Sequence, residues 1–186
     1  MARTPRITPE MLVDAGVQLV LEEGIGALNI RSLAARLGCS IQPIFRNFGS
    51  MDALKAEILR GLDTVYQDFI AQYVNKSDFL FTISLAHVAL AREQRNLFAV
   101  MFLTGAYGTR TVEQIIQSSW NRETIECTAD QYGLSLAQAE AVYRDVRFYT
   151  FGIAQSVYAG TVTLEDGEAE ALLRGAIARF SGRPQG

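Results

Sequence analysis

The stretch from Asn29 to Phe48 constrains the fold more than any other part of this 186-residue chain. Asn29 is a good N-cap for a short helix, Ile30 to Leu37, with Ile30, Leu33, Ala34 and Leu37 on its apolar face. The small side chains of Ala34 and Ala35 let another helix approach closely. Gly38 ends this helix, Cys39 occupies the turn, and Ser40 is placed to cap a second short helix from Ile41 to about Asn47. Pro43 falls in the first turn of that helix, where a missing N–H breaks no intrahelical bond, and the Ser40 hydroxyl is expected to accept from the N–H of Gln42. Two short helices joined by a tight glycine-containing turn form the helix-turn-helix pattern.

The flanking segments extend the helical reading. Thr8 is the expected N-cap and Pro9 the first residue of a helix whose buried stripe is Met11, Leu12, Ala15, Leu19 and Val20. Gly24 and Gly26 end it, the first as a left-handed C-terminal residue. Ser50 and Asp52 open a long helix, with Leu54, Ile58, Leu62, Val65, Phe69 and Tyr73 carrying its stripe to about Asn75. Further helices are expected near 78–92, 95–107, 111–132, 136–159 and 166–181, with Ser135 as an N-cap. Three of the four prolines (Pro5, Pro9 and Pro184) lie near the ends, which leaves long helices uninterrupted. Alternation of strand type is never sustained, and 49% apolar residues suffice for a sizeable core. The predicted fold is all-α: an N-terminal three-helix helix-turn-helix domain over 1–52 and a larger helical domain over 53–186.

Composition removes several classes of function. Charges interrupt every apolar run before it reaches the roughly 20 residues needed to span a bilayer. The N-terminus leads into an amphipathic segment and does not read as a signal peptide. Cys39 and Cys127 stand in unrelated contexts, which points to a reducing cytoplasm and away from a disulfide framework or a zinc site. Gly-x-Ser-x-Gly, P-loop and Gly-x-Gly-x-x-Gly motifs are lacking, and one histidine cannot build a His-rich metal centre. No enzyme, metal or cofactor is expected. Residues 1–60 hold seven Lys/Arg against six Asp/Glu, and residues 61–186 hold ten against fourteen. The asymmetry has the sign expected of a DNA-reading end on an acidic body.

From Asn29 to Phe48 the residues closely resemble the TetR family of bacterial repressors. The likeness is carried by Asn-Ile-Arg-Ser-Leu-Ala-Ala-Arg-Leu-Gly, Cys-Ser-Ile-Gln-Pro-Ile-Phe-Arg-Asn-Phe and Gly-Ser-Met-Asp-Ala-Leu, and it extends over residues 8 to about 60. It implies a DNA-binding domain followed by a ligand-binding and dimerisation domain. It also implies a cytoplasmic homodimer held by the last two long helices, here about 136–159 and 166–181. Three family features depart: Ile41 and Met51 stand where lysines are common, and Phe45 where a tyrosine is. Lys55, Arg46 and the basic arm of Arg3 and Arg6 are placed to compensate.

On this reading the DNA-binding set is Arg31, Ser40, Ile41, Gln42, Pro43, Phe45, Arg46 and Lys55. Gln42 can pair bidentately with adenine, Ile41 and Pro43 can touch a thymine methyl, and Phe45 can pack on sugar or methyl groups. Ser40, Arg31 and Lys55 would meet phosphates. A dimer predicts a pseudo-palindromic operator. Leu136, Ala139, Val142, Val146, Ile153 and Val157, with Leu172, Leu173, Ile177 and Phe180, lie on stripes that serve either that interface or the protomer's own core. Large apolar residues are dense over 78–120; hydrophobic core accounts for most, and an apolar effector pocket is the sharper reading. Its expected lining is His87, Phe98, Phe102, Trp120, Tyr149 and Gln155. Two other readings remain open at this point: a helical protein-interaction adaptor with a vestigial helix-turn-helix, and a small all-helical enzyme.

Overall fold

The computed structural model describes residues 7–182, and those residues are helical with no strand. Arg3 and Arg6 lie outside them. The helices are α1 (Pro9–Glu23), α2 (Ile30–Arg36), α3 (Gln42–Phe48), α4 (Met51–Ala71), α5 (Phe79–Glu93), α6 (Arg95–Phe102), α7 (Val112–Ile116), α8 (Ser119–Tyr132), α9 (Leu136–Ala159) and α10 (Glu168–Ser181). None is long and apolar enough to cross a membrane.

The chain forms two compact units. The first runs to Gln67 and includes Asn96–Tyr107; the second holds Asp68–Arg95 and Gly108 onward. The expected division at 52/53 falls inside the first unit, because the first four turns of α4 are part of its core. Leu54, Ile58 and Leu62 are fully buried along with Leu12, Leu33 and Ile44. Glycines let α1 and α4 come close: a Cβ on Gly16 would lie 2.2 Å from Ile58 Cδ1, and one on Gly61 would lie 2.7 Å from Val17 Cγ2. Helix α6 completes this unit. Asn96 Nδ2 donates to the Leu21 carbonyl at 2.9 Å, and the Tyr107 hydroxyl just beyond α6 donates to the Leu59 carbonyl at 2.7 Å. Burial of that phenol and the nearby Asp63 carboxylate push its pKa well above the ordinary tyrosine range.

In the second unit α5 is buried on most of its circumference, from Phe79, Leu80 and Phe81 through Ala91. It packs on α9, α8 and α10. α9 turns Ala139, Val142, Tyr143, Val146, Thr150 and Ala154 inward, and α10 turns Leu173, Ala176 and Ile177 inward.

Several start signals act as read from the sequence. The Thr8 hydroxyl accepts from Met11 N–H, Asn29 accepts from Arg31 and Ser32 N–H, and Ser135 forms a reciprocal capping box with Gln138. Gly24 does have positive φ, but its ψ of 166° places it outside the left-handed helical region. α3 begins one residue later than expected, with Ile41 at its N-cap position in the right-handed helical region and no side-chain cap. α6 stops at Phe102 and not near 107, because Gly105 and Gly108 follow with positive φ. The predicted helix over 111–132 is two helices. Ser118 is extended between them, and Asn121 Nδ2 donates to the Ile115 carbonyl at 2.6 Å, satisfying a group that a continuous helix would have bonded internally.

Candidate functional site

The helix-turn-helix is held from inside. Leu33 and Ala34 of α2 and Ile44 of α3 are buried, Gly38 makes the turn at φ +61°, and Asn47 Nδ2 donates back to the Pro43 carbonyl at 2.8 Å. α2 is also tied to α1 by a two-pronged contact, in which the Arg36 guanidinium donates to the Glu22 carboxylate at 2.8 and 2.7 Å. Hydrogen bonding to that guanidinium holds the Glu22 carboxyl below its usual range. Arg36 is therefore committed to the domain itself.

With Ile44 anchoring α3, the opposite face is free. Ile41 is 45% exposed and Phe45 46% exposed, and they stand four residues apart on one side of the helix start. Ser40, Gln42 and Arg46 are exposed beside them, and Pro43 is half-buried. Arg31 is exposed at the start of α2, and Lys55 is half-buried in α4. Among the described residues, none of the ion pairs involves Arg31, Arg46 or Lys55. The surface thus offers an amide, two apolar side chains and a cation on or beside α3, with further cations on α2 and α4. That chemistry suits base edges, thymine methyls and phosphates.

The six residues expected to line an effector pocket are divided between the two units, Phe98 and Phe102 in the first and His87, Trp120, Tyr149 and Gln155 in the second. Phe98 and Phe102 stack on each other at 5.4 Å in the first unit, where Phe98 is fully buried and Phe102 meets Tyr66 edge-on. Trp120 is 67% exposed on α8, and Gln155 is exposed on α9. Tyr149 packs edge-on against Phe180 and borders a groove along α10. His87 alone lies deep in the second unit. Its Nδ1 is 2.7 Å from the Ile83 carbonyl and its ring packs on Phe151. Burial, helped by the nearby Arg147 charge, pushes its pKa down to about 3, so the ring is neutral. The space beside it is only about 10 Å³, with room for no more than a water-sized group.

A larger cavity of about 520 Å³ lies elsewhere in the second unit. Leu85, Val88, Ala89 and Arg92 of α5 form one wall; Val157 near the end of α9, and Val162, Leu164, Glu165 and Asp166 from the following loop, form the other. Tyr73, Ala169 and Glu170 complete it. Its lining includes none of the six residues singled out from the sequence. The available signal was the loop Gly160-Thr-Val-Thr-Leu-Glu-Asp-Gly167, which places apolar and acidic side chains together between two helices.

Comparison with known proteins agrees with the geometry. Residues 12–58 match the sequence profile of the bacterial regulatory proteins, tetR family. No curated protein matches the chain significantly over its sequence. Among solved structures, a TetR family member from Streptomyces coelicolor A3 superposes with a TM-score of 0.56 at 17% identity, covering 90% of this chain and 96% of that one. A TetR family protein from Vibrio parahaemolyticus gives 0.57 at 18% identity, covering 92% and 97%. These likenesses extend the shared fold beyond the helix-turn-helix into the divergent helices. Over residues 12–58, the helix-turn-helix of this chain is thus similar to the DNA-binding domain of the TetR family of bacterial transcriptional regulators.

Proposed function

We propose that this chain is a transcriptional repressor that binds a pseudo-palindromic operator as a homodimer and leaves it when a small, largely apolar effector binds the second unit. The observation that carries the reading is the α3 face, where Ile41, Gln42, Phe45 and Arg46 are exposed although Ile44 between them is fully buried. Gln42 reads adenine, Ile41 and Phe45 take methyl and sugar contacts, and Arg31, Arg46 and Lys55 neutralise phosphates, with Ser40 as a hydroxyl donor.

One helix of this size contacts too little DNA for strong specificity, so two copies act together. The dimer face belongs to α9 and α10. Arg144, Phe148, Gly152, Gln155 and Ala159 form an exposed row on α9, and Glu168, Leu172 and Arg179 form one on α10. Phe148, Leu172 and Phe180 are large apolar side chains left exposed there. By contrast, Ala139, Val142, Val146, Leu173 and Ile177, which the sequence left undecided, serve the protomer's own core.

Effector binding would change the packing of α4 and with it the spacing of the two recognition helices. The ligand must bind the state with the wrong spacing more tightly, since equal affinity shifts nothing. A tenfold loss of DNA affinity requires about 1.4 kcal/mol of coupling. The test is competition binding of the purified protein to DNA from around its own coding region against shuffled DNA, with the mass of the complex measured. The expected result is preferential binding by two protomers per site. Equal binding to both DNAs across regulatory regions at low salt would refute the repressor reading and favour an interaction protein.

A further inference from the structure

The 520 Å³ cavity is within the size range of sites that hold small molecules, and its walls are chemically uneven. Leu85, Val88, Ala89, Val157, Val162 and Leu164 supply an apolar floor. Four charged side chains also line it: Arg92, Glu165, Asp166 and Glu170. The single cation has an acidic neighbour of its own, since the Arg92 guanidinium lies 3.5 Å from the Glu93 carboxylate. The three carboxylates have no such partner. Among the described residues none of the ion pairs includes Glu165, Asp166 or Glu170. An occupant that filled the apolar floor and placed a positive group among these carboxylates would match both features.

We infer that this cavity binds an amphipathic cation, an apolar body carrying one ammonium-type head. The inference deepens the sensing role proposed above and rests on it only for the effect on DNA; the binding itself stands alone. The apolar floor takes the body of such an occupant, and the exposed carboxylates of the loop and of the start of α10 favour a cationic head over an anionic one. Val162, Thr163 and Leu164 border both this cavity and the groove along α10. An occupant therefore presses on the loop that joins α9 to α10, the two helices assigned to the dimer.

The experiment is calorimetric titration of the DNA-free protein with three probes of one chain length: octyltrimethylammonium, 1-octanol and octanoate. The cation should bind about tenfold or more tightly than octanoate, equivalent to about 1.4 kcal/mol. The triple variant Glu165→Gln, Asp166→Asn, Glu170→Gln should erase that preference while leaving octanol binding in place, which also reports that the variant is folded. Ala89→Trp, which fills the floor, should weaken all three probes. Equal affinity for cation and anion, a preference that survives in the triple variant, or no binding by any probe would each overturn the inference. A second measurement separates it from the sensing role. If the cation binds as described but leaves DNA affinity unchanged, the cavity assignment holds and the effector-release reading fails.

Discussion

Replacing Gly16 by alanine tests how the DNA-binding unit is built. In an unconstrained helix the change would stabilise, since Ala is better than Gly by about 1 kcal/mol at an interior helical position. Here the new methyl would sit 2.2 Å from Ile58 Cδ1 and 2.7 Å from Ile58 Cγ1, against the roughly 3.5–4.0 Å at which carbon atoms pack favourably. Ile58 is fully buried and cannot swing into solvent. It must leave its rotamer or push α1 and α4 apart. An overlap this deep belongs in the upper part of the overpacking range, about 2–3 kcal/mol, so the net effect is a loss of about 1–2 kcal/mol. Urea unfolding followed by far-UV circular dichroism measures it. Gly26→Ala is the control, because a Cβ there meets nothing within 4 Å. The double variant Gly16→Ala, Ile58→Val removes the offending Cδ1 and should be more stable than Gly16→Ala alone, even though Ile→Val in a wild-type core costs about 0.5–1.5 kcal/mol. A Gly16→Ala protein as stable as the wild type, or a double variant weaker than both singles, would refute the close-crossing argument.

Arg46→Ala or Lys55→Ala should weaken binding to all DNA sequences alike and lower the slope of log K against log salt by about one for each phosphate no longer neutralised. Fluorescence anisotropy at several salt concentrations measures this, and an unchanged slope would remove those residues from the phosphate set. His87 is neutral in the fold to about pH 3 but takes a proton near its ordinary value of 6.5 when unfolded. Because the unfolded state then binds more protons, His87 lowers stability as pH falls from about 6.5 towards 3, by up to about 1.4 kcal/mol per pH unit. His87→Gln should flatten the stability profile between pH 7 and about 5.5 by comparison with the wild type, and parallel profiles would show that the ring is not held neutral. Phe148→Glu places a charge on the exposed row of α9 and should shift the protein from dimer to monomer in light scattering while leaving helix content intact; an unaltered dimer would move the interface off this face.

The parts of this molecule that were legible in the sequence are those governed by local chemistry. Asn29, Thr8 and Ser135 cap helices because an oxygen near a free N–H acts within three residues, and Gly38 marks the turn because it takes positive φ easily. The apolar stripe of α4 marked Leu54, Ile58 and Leu62 as buried, as they are in the fold. What sequence could not supply was the pairing of faces. Gly16 and Gly61 look like weak spots in two helices until the helices are crossed, when they become the points of closest approach. The aromatic density over 78–120 held no sign that Phe98 and Phe102 would join the core of the first unit while Trp120 stayed in solvent. Side-chain type named good pocket residues, but the 520 Å³ cavity of the second unit is bordered by Ala89, Val157 and an ordinary-looking loop. The Ser40 cap is not made: α3 starts at Gln42 with Ile41 in the N-cap position and no side chain accepts from its first N–H groups.

The central claim, that the exposed face of α3 reads base edges, is tested most directly through Gln42. Wild type and Gln42→Ala are compared on a selected operator and on its complete set of single base-pair variants. The account predicts that the wild type loses about 1–3 kcal/mol when one particular A·T pair in a half-site is changed, that the symmetry-related pair behaves alike, and that Gln42→Ala becomes indifferent at just those two positions. A Gln42→Ala protein with an unchanged sequence profile, or one weakened equally on every DNA, would contradict it.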